Sequence, residues 1–191
     1  AGWRPIAVTS VLSDVVTERW ADKQQTQKVS CQTWDNAMLL IETEDASSGD
    51  RFPWTLRTFR IAPGETNSWQ VEILGTKACA RFNTRYPGTL ELLRYDGADQ
   101  TWQSVQPGFT PTYPTITGPI FEFGFTDATQ QMWAAYLHEL TTGQLPHAFA
   151  GCARPDEAAV SHELFDAALR SHREGQRVTL SALNPSHASG S

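Results

Sequence analysis

Residues 157–180 read EAAVSHELFDAALRSHREGQRVTL, and this stretch decides the fold class. Its apolar residues recur at helical spacing and form one stripe: Val160, Leu164, Phe165, Ala168 and Leu169. Asp156 before the stripe and Gly175 after it are capping residues, so the pattern predicts a helix over 157–174. A helix with one apolar stripe must cover an apolar layer, which the rest of the chain has to supply.

Short strands between Pro5 and about Gln106 supply that layer. Val71 and Ile73 alternate with polar neighbours, and the other apolar runs of this region follow the same two-residue period. Turn signals separate the runs: Pro63-Gly64, Gly75-Thr76, Pro87-Gly88 and Asp96-Gly97. Every residue from Ala37 to Ile41 is apolar, which indicates a strand buried on both faces. Six or more short strands with tight connections imply a largely antiparallel sheet.

The chain changes character after about Gly108. Four prolines in residues 107–119 indicate an ordered excursion over the sheet, and a helix is predicted over 127–142 with Asp127 at its start. The predicted class is α+β, a large and mostly antiparallel open sheet that is covered on one face by two C-terminal helices. This domain would occupy residues 1–180, followed by a flexible polar tail over 181–191.

Composition excludes two classes of function. The 191 residues carry a net charge of −6 and contain three lysines, so the chain is a poor partner for nucleic acid. The longest apolar run is far shorter than the roughly 20 residues that a membrane helix needs. Three widely spaced cysteines, with no paired spacing, indicate free thiols in a reducing compartment. We therefore expect a soluble, cytoplasmic protein.

Motifs for cofactor and metal chemistry are missing from the sequence. No two of the thirteen glycines are two residues apart, so the Gly-x-Gly-x-x-Gly fingerprint of dinucleotide-binding folds cannot occur. The Gly-x-Ser-x-Gly elbow of serine hydrolases is also absent. His162 and Asp166 lie one helical turn apart, but two ligands do not make a metal site, and a solvated helix face explains them better. The sequence predicts no catalytic, cofactor-binding or metal-binding residue in this chain.

Candidate substrate-binding residues follow from their placement in loops and near sheet edges, where a pocket recruits partners for hydroxyl groups. They are Arg19, Trp20, Asp35, Tyr113 and Glu122. For Asp35 a turn or ladder role is an open alternative, because a carboxylate beside an apolar strand must be hydrogen-bonded or reach a polar cavity. The strand tryptophans are open to two interpretations as well, stacking on a sugar ring or packing in a core or subunit interface.

Several segments, taken together, resemble one family. Residues 33–37 (TWDNA), 61–64 (IAPG), 71–78 (VEILGTKA) and 165–180 (FDAALRSHREGQRVTL) are similar to the C-terminal domain of the Gfo/Idh/MocA oxidoreductases, although Ala78 stands where that family commonly has glycine. The resemblance implies a glyceraldehyde-3-phosphate dehydrogenase-like C-terminal domain, an open sheet backed by helices. Its free face would pack against a second subunit in a homodimer or tetramer.

The same resemblance implies hydride transfer between a sugar or polyol carbon and NAD or NADP. The proton-handling motifs of the family, Glu-Lys-Pro and Asp-x-x-x-His, are both absent. The resemblance therefore implies an inactive substrate-binding and oligomerisation domain, with the cofactor held by a missing N-terminal Rossmann domain of the parent protein. Two alternatives stay open, a stand-alone binding or scaffold module of the same fold and an unrelated enzyme that uses a carboxylate pair such as Glu122 and Asp127.

Overall fold

The computed structural model describes residues 2–108, 110–121, 123–145 and 152–180. The chain divides into two compact units, one of Ala1–Pro63 with Arg154–Ser191 and one of Gly64–Ala153. A single domain over 1–180 stays a prediction, and the predicted tail at 181–191 lies outside the described residues.

The first unit holds a four-stranded sheet, a hairpin and a long helix. Its elements are β1 (Trp3–Ser13), β2 (Glu18–Trp20), β3 (Lys28–Ser30), β4 (Asn36–Asp45), β5 (Arg51–Phe59), the C-terminal helix (Pro155–Glu174) and the final strand (Val178–Thr179). The sheet has the final strand at one edge, then β1, β4 and β5, and each of these pairings is antiparallel. β2 pairs with β3 in a separate two-stranded sheet.

Strand alternation gives the four-stranded sheet one covered face and one open face. On the covered face, Val8 pairs with Ile41 and both side chains are buried. The C-terminal helix packs there through Leu164 and Ala168, which belong to its apolar stripe, and through Ala167. On the open face, Val11 lies opposite Met38, and Leu40 lies opposite Thr9. Val11, Met38 and Leu40 are 66%, 57% and 52% exposed, so the apolar run of β4 is buried on one face within this chain.

The C-terminal helix also caps backbone groups of β1. The final strand pairs with β1 at Ala7 and Val8 alone, so the amide of Ser10 lies beyond that pairing. Ser171 Oγ accepts a hydrogen bond from this amide at 3.0 Å and donates one to the carbonyl of Gln176 at 2.7 Å. Helix and sheet are therefore joined by directed polar contacts as well as by apolar packing.

Ser171→Ala is expected to lower the free energy of unfolding by about 2 kcal/mol, because the buried Ser10 amide loses its acceptor. Ser161→Ala on the same helix is the matched control. Its exposed hydroxyl donates to the carbonyl of Glu157 and holds no other element, so a change within about 0.5 kcal/mol is expected. Urea denaturation of both variants measures the difference, and equal losses would show that Ser171 does not join helix to sheet.

The second unit holds a four-stranded antiparallel sheet and a helix. Its elements are β6 (Gln70–Leu74), β7 (Ala78–Asn83), β8 (Leu90–Arg94), β9 (Gln103–Val105), a short 3-10 helix (Gly118–Ile120) and α1 (Phe125–Thr142). The strands lie in chain order. α1 begins after Gly124 and ends at Gly143, whose φ of 72° is the left-handed conformation that glycine favours. The C-terminal helix of the first unit, α2 from here on, ends in the same way at Gly175.

The α+β class, the antiparallel sheets and the two C-terminal helices are confirmed. The strands form three sheets where the sequence predicts one, and α2 is the helix that packs on the β1–β4–β5 sheet. Both helices begin two residues before their predicted starts, at Phe125 and Pro155. Within the described residues, no helix is long and apolar enough to cross a membrane.

Candidate functional site

The β2–β3 hairpin is closed by one aspartate. Asp22 Oδ1 accepts the amide of Thr26 at 3.0 Å, and Oδ2 accepts the Thr26 hydroxyl at 2.7 Å and the Gln27 amide at 3.1 Å. These bonds, led by the Thr26 hydroxyl, hold the pKa of Asp22 below its ordinary value. Gln25 takes a left-handed φ of 59°, so the turn is held in one tight conformation.

Asp35 anchors this hairpin to the sheet. Its side chain is 2% exposed, and its Oδ2 accepts the amides of Val15 at 3.0 Å and Val16 at 2.8 Å. Oδ1 accepts Arg19 Nη2 at 2.5 Å. The Val16 amide is the largest cause that lowers the pKa of Asp35, followed by Val15 and the nearby guanidinium groups, while burial opposes them. Both carboxylate oxygens are therefore occupied, and Asp35 sets the position of Arg19.

Arg19 connects the carboxylate to a cysteine. Its Nε donates to Cys31 Sγ at 3.1 Å, and Cys31 Sγ lies 3.4 Å from Thr33 Oγ1. The contact with Thr33, then that with Arg19, lowers the pKa of the Cys31 thiol. The Arg19 side chain is 32% exposed, so part of its guanidinium faces solvent with its orientation already set.

Trp20 lies on the opposite face of the hairpin from Arg19. Arg19 pairs with Val29 in the ladder and Trp20 with Lys28, and neighbouring residues of a strand point to opposite faces. Lys28 Nζ lies 5.2 Å from the centroid of the half-exposed Trp20 ring, which is a cation–π contact. Arg19 and Asp35 are thus brought together, while Trp20 presents a separate aromatic surface beside them.

Trp34, next to Asp35 in sequence, packs on the end of α2. Its ring meets His172 edge to face at 4.7 Å between centroids. His172 Nδ1 accepts the amide of Leu12 at 3.2 Å. The strand end near Asp35 is therefore held by contacts from the hairpin and from the helix.

Tyr113 belongs to the second unit, where a loop packs on α1. The buried side chain of Gln131 accepts the Tyr113 amide and donates to its carbonyl, both at 2.9 Å. The Tyr113 ring lies 6.0 Å from that of His138. Its hydroxyl is buried and has no hydrogen-bond partner within the described residues. The backbone of Tyr113 is satisfied, and its phenol is a buried donor without an acceptor.

Tyr113→Phe is expected to leave the free energy of unfolding unchanged or raise it by up to about 1 kcal/mol, because it removes an unsatisfied polar atom. Gln131→Ala is expected to lower the free energy of unfolding by about 2 kcal/mol, since it leaves two backbone groups of Tyr113 without a hydrogen-bond partner. Thermal unfolding followed by circular dichroism compares the two variants. A loss at Tyr113→Phe as large as that at Gln131→Ala would show that the hydroxyl has a partner.

Glu122, one of the predicted substrate-binding residues, lies outside the described residues. Asp127, the other half of the carboxylate pair, stands at the third position of α1, where its Oδ2 accepts the Gly124 amide at 2.9 Å. It supports the helix start from inside the helix, whereas the sequence pattern predicts it at the start itself. Within the part of the chain that the structure describes, no three His, Cys, Asp or Glu residues are grouped to hold a metal ion.

Arg19, Cys31, Thr33, Asp35 and Arg60 are called the hairpin cluster from here on. Three of them are not among the candidates predicted from the sequence: Cys31, Thr33 and Arg60. Arg60 Nη1 lies 3.5 Å from Thr33 Oγ1, and its backbone amide donates to the Asp35 carbonyl at 2.8 Å. The β4–β5 register, in which Asn36 lies opposite Phe59, places Arg60 beside Asp35. The signal that could have found Arg60 is this register, extended by one pair past the strand ends.

Comparisons with known proteins give a match in fold. No family model and no curated protein matches the sequence. The structure of levoglucosan dehydrogenase in complex with NADH and L-sorbose matches with a TM-score of 0.70 at 21% identity, over 93% of this chain and 45% of that one. An oxidoreductase domain protein from Kribbella flavida matches with a TM-score of 0.71 at 18% identity, over 94% and 45%.

The chain shares the fold of about 45% of each of these two proteins. The resemblance stated from the sequence is thereby confirmed at the level of fold. A third match is the super-repressor mutant of Gal80p from Saccharomyces cerevisiae, with a TM-score of 0.56 at 12% identity over 93% of this chain and 45% of that one. The chain spans less than half the length of each of these three proteins.

Proposed function

We propose that this chain is the substrate-side and oligomerisation domain of an NAD(P)-dependent oxidoreductase that acts on a sugar or polyol. One observation carries the proposal: nearly the whole chain matches the fold of 45% of levoglucosan dehydrogenase, a protein solved with NADH and with L-sorbose or levoglucosan. The remaining portion of such a parent protein, a Rossmann domain, would hold NAD or NADP.

We infer that this chain does not itself bind the dinucleotide. Every strand pairing in the described residues is antiparallel, and the glycine fingerprint that lets a backbone approach a pyrophosphate is absent from the sequence. We therefore derive no hydride-transfer step within this chain. Alone, it is expected to show no dehydrogenase turnover.

The hairpin cluster supplies the best candidate wall of a substrate pocket. The side chain of Arg19 is partly exposed, and Asp35 and Cys31 hold its orientation. A preorganised guanidinium of this kind suits sugar hydroxyl or carboxyl oxygens. Asp35 would act as the positioning residue. Trp20, on the other hairpin face, is proposed as a separate surface for stacking on a ring. The roles of Tyr113 and Glu122 in substrate binding stay predictions from the sequence.

The open face of the β1–β4–β5 sheet is the proposed surface for a homodimer or tetramer. Val11 and Met38 lie opposite each other there, Leu40 follows on β4, and all three are more than half exposed. An exposed apolar patch on a sheet face favours burial against another subunit. The three free cysteines support the cytoplasm as the proposed location.

Met38→Glu is expected to shift the chain from dimer to monomer, because it places a charge at the centre of the apolar patch. Val15→Glu, at a similarly exposed apolar residue outside the strands, is the control and should leave assembly unchanged. Light scattering over a range of protein concentrations measures both. A monomeric wild-type chain at high concentration would contradict the proposed surface.

A second candidate function is a stand-alone binding or scaffold module. The match to a protein described as a super-repressor mutant, Gal80p, favours it, because a name of that kind describes repression and not oxidation. In this alternative the hairpin cluster would bind a ligand without any hydride chemistry.

Assaying the protein encoded by the whole reading frame separates the two candidates. The oxidoreductase proposal predicts reduction of NAD or NADP with at least one sugar or polyol, and Arg19→Ala should raise KM more than it lowers kcat, since Arg19 would bind the ground state and transition state alike. A reading frame without a cofactor-binding domain, or a protein inactive towards every sugar of a broad panel, would favour the binding module.

A further inference from the structure

A continuous polar network joins two guanidinium groups beside the hairpin. It runs from Arg60 Nη1 to Thr33 Oγ1 at 3.5 Å, from Thr33 Oγ1 to Cys31 Sγ at 3.4 Å, and from Cys31 Sγ to Arg19 Nε at 3.1 Å. Arg19 Nη2 then reaches Asp35 at 2.5 Å. All five residues belong to the first unit, and Asp35, the innermost, is buried.

The ionised groups of this network do not balance. Two arginines face one carboxylate, and Asp35 directs its two oxygens to the Val15 and Val16 amides and to Arg19. The guanidinium of Arg60 therefore has the Thr33 hydroxyl and not a carboxylate as its hydrogen-bond partner. One positive charge is left in excess at this place, although the chain as a whole carries a net charge of −6.

This positive charge contributes to lowered pKa values at two neighbouring groups, Asp35 and Cys31. After the hydrogen bonds of the Val16 and Val15 amides, the charges of Arg19 and Arg60 lower the pKa of Asp35 further. The pKa of the Cys31 thiol is lowered as well, first by Thr33 and then by Arg19. Negative charge is thus stabilised at two separate atoms of the network.

We propose that Arg19, Thr33 and Arg60 bind the anionic group of an acidic sugar or polyol, a carboxylate or a phosphate. Guanidinium groups match both anions with paired N–H donors, and the Thr33 hydroxyl lies between the two arginines. The sugar part of this ligand rests on the proposed function, whereas the anion contact rests on the network itself. An ionised Cys31 thiolate could balance the same charge, and the experiment separates that outcome.

The test uses the 191-residue chain, titrated with inorganic phosphate, glucuronate, glucose 6-phosphate and glucose at low ionic strength. The probe is the set of arginine Nε–H signals in a proton–nitrogen correlation spectrum. The signals of Arg19 and Arg60 should shift saturably with an anionic sugar and not with glucose. Comparing the affinities for glucuronate and glucose 6-phosphate decides whether the site prefers a carboxylate or a phosphate. Added salt should weaken the binding.

Arg60→Gln should weaken binding of the anionic sugar by about tenfold or more, because a charge-assisted hydrogen bond is lost. Arg57→Gln removes the same charge from an exposed residue of β5 and is the matched control, expected to change affinity little. Thr33→Val tests the hydroxyl between the arginines. Unchanged backbone spectra of each variant show that it folds.

Three results would overturn the anion site: no saturable shift at Arg19 or Arg60, affinity for glucose equal to that for both glucuronate and glucose 6-phosphate, or equal weakening by Arg57→Gln and Arg60→Gln. A Cys31 thiol found ionised at neutral pH by alkylation rates, with no anion binding, would assign the excess charge to the thiolate. If the anions bind through Arg60 but the protein of the whole reading frame oxidises no sugar, the proposed function fails and the anion site stands.

Discussion

Ile41→Ala should lower the free energy of unfolding by about 3 kcal/mol, the cost of a cavity beneath α2. Ile41 is 0% exposed and packs with Val8, Leu164 and the other buried residues of the sheet–helix core. No rearrangement can refill the site easily, because Val8 is fixed by its pairing with Ile41 and α2 is held by the Ser171 contacts. Urea denaturation, with the loss of helical circular dichroism as the signal, measures the effect.

Leu40→Ala is the matched control one residue away. Leu40 points to the open face and is 52% exposed, so its truncation should cost less than about 1 kcal/mol at a protein concentration low enough to keep the chain monomeric. The sequence around both residues is uniformly apolar, so the contrast between them comes from the structure alone. Equal losses at Leu40 and Ile41 would show that both faces of β4 are buried within one chain.

Asp35→Ala is expected to release the hairpin from the sheet. The substitution leaves the amides of Val15 and Val16 without an acceptor and Arg19 without its carboxylate. Hydrogen exchange at these two amides should accelerate by about tenfold or more, since each amide loses a bond to a charged group. Asp35→Asn keeps one acceptor oxygen and loses the charge, so its effect on exchange should fall between those of wild type and Asp35→Ala.

The ionised Asp35 carboxylate contributes to the free energy of unfolding, and the direction in which this contribution changes with pH can be predicted. The pKa of Asp35 is lower in the folded chain than in the unfolded one, mainly because of the Val16 amide. Its stabilisation is therefore fully present above the unfolded value, about 3.9, and is lost as the pH falls through the folded value. The difference in stability between wild type and Asp35→Asn should be largest near neutral pH and shrink in acid. A difference that is the same at neutral and at acidic pH would contradict the role of the ionised carboxylate.

Much of the architecture could be predicted from periodicity. The stripe of α2 at Leu164 and Ala168 packs on the sheet as its spacing predicts. The predicted helix starts are wrong by two residues, because the sequence pattern predicts Asp127 and Glu157 as the first helical residues. In the structure each stands at the third helical position and accepts the amide of the residue before the helix, Gly124 or Arg154.

The extent of the sheets was harder to predict, because local alternation does not specify which strands pair. Trp34, Trp69 and Trp102, placed in strands by their sequence neighbours, all lie just before strands, while Trp54 lies within β5. The sequence also could not show that α1 and α2 belong to different units, since their apolar stripes have the same form.

The candidate site, like the fold, could be predicted from the sequence only in part. Arg19 and Trp20, predicted to lie in a loop, lie in β2, and the structure brings Arg19 into contact with Asp35. Arg60, 25 residues after Asp35, reaches the cluster through the pairing of β4 with β5, and no local pattern marks it. The register between distant strands determines which polar residues come together in one site, and local sequence patterns do not contain it.

The proposed function requires that this chain by itself binds no dinucleotide. Isothermal titration of the 191-residue chain with NADH and with NADPH should give no saturable binding heat. The protein of the whole reading frame should bind one of the two. Micromolar binding of either dinucleotide to the 191-residue chain itself would contradict the account.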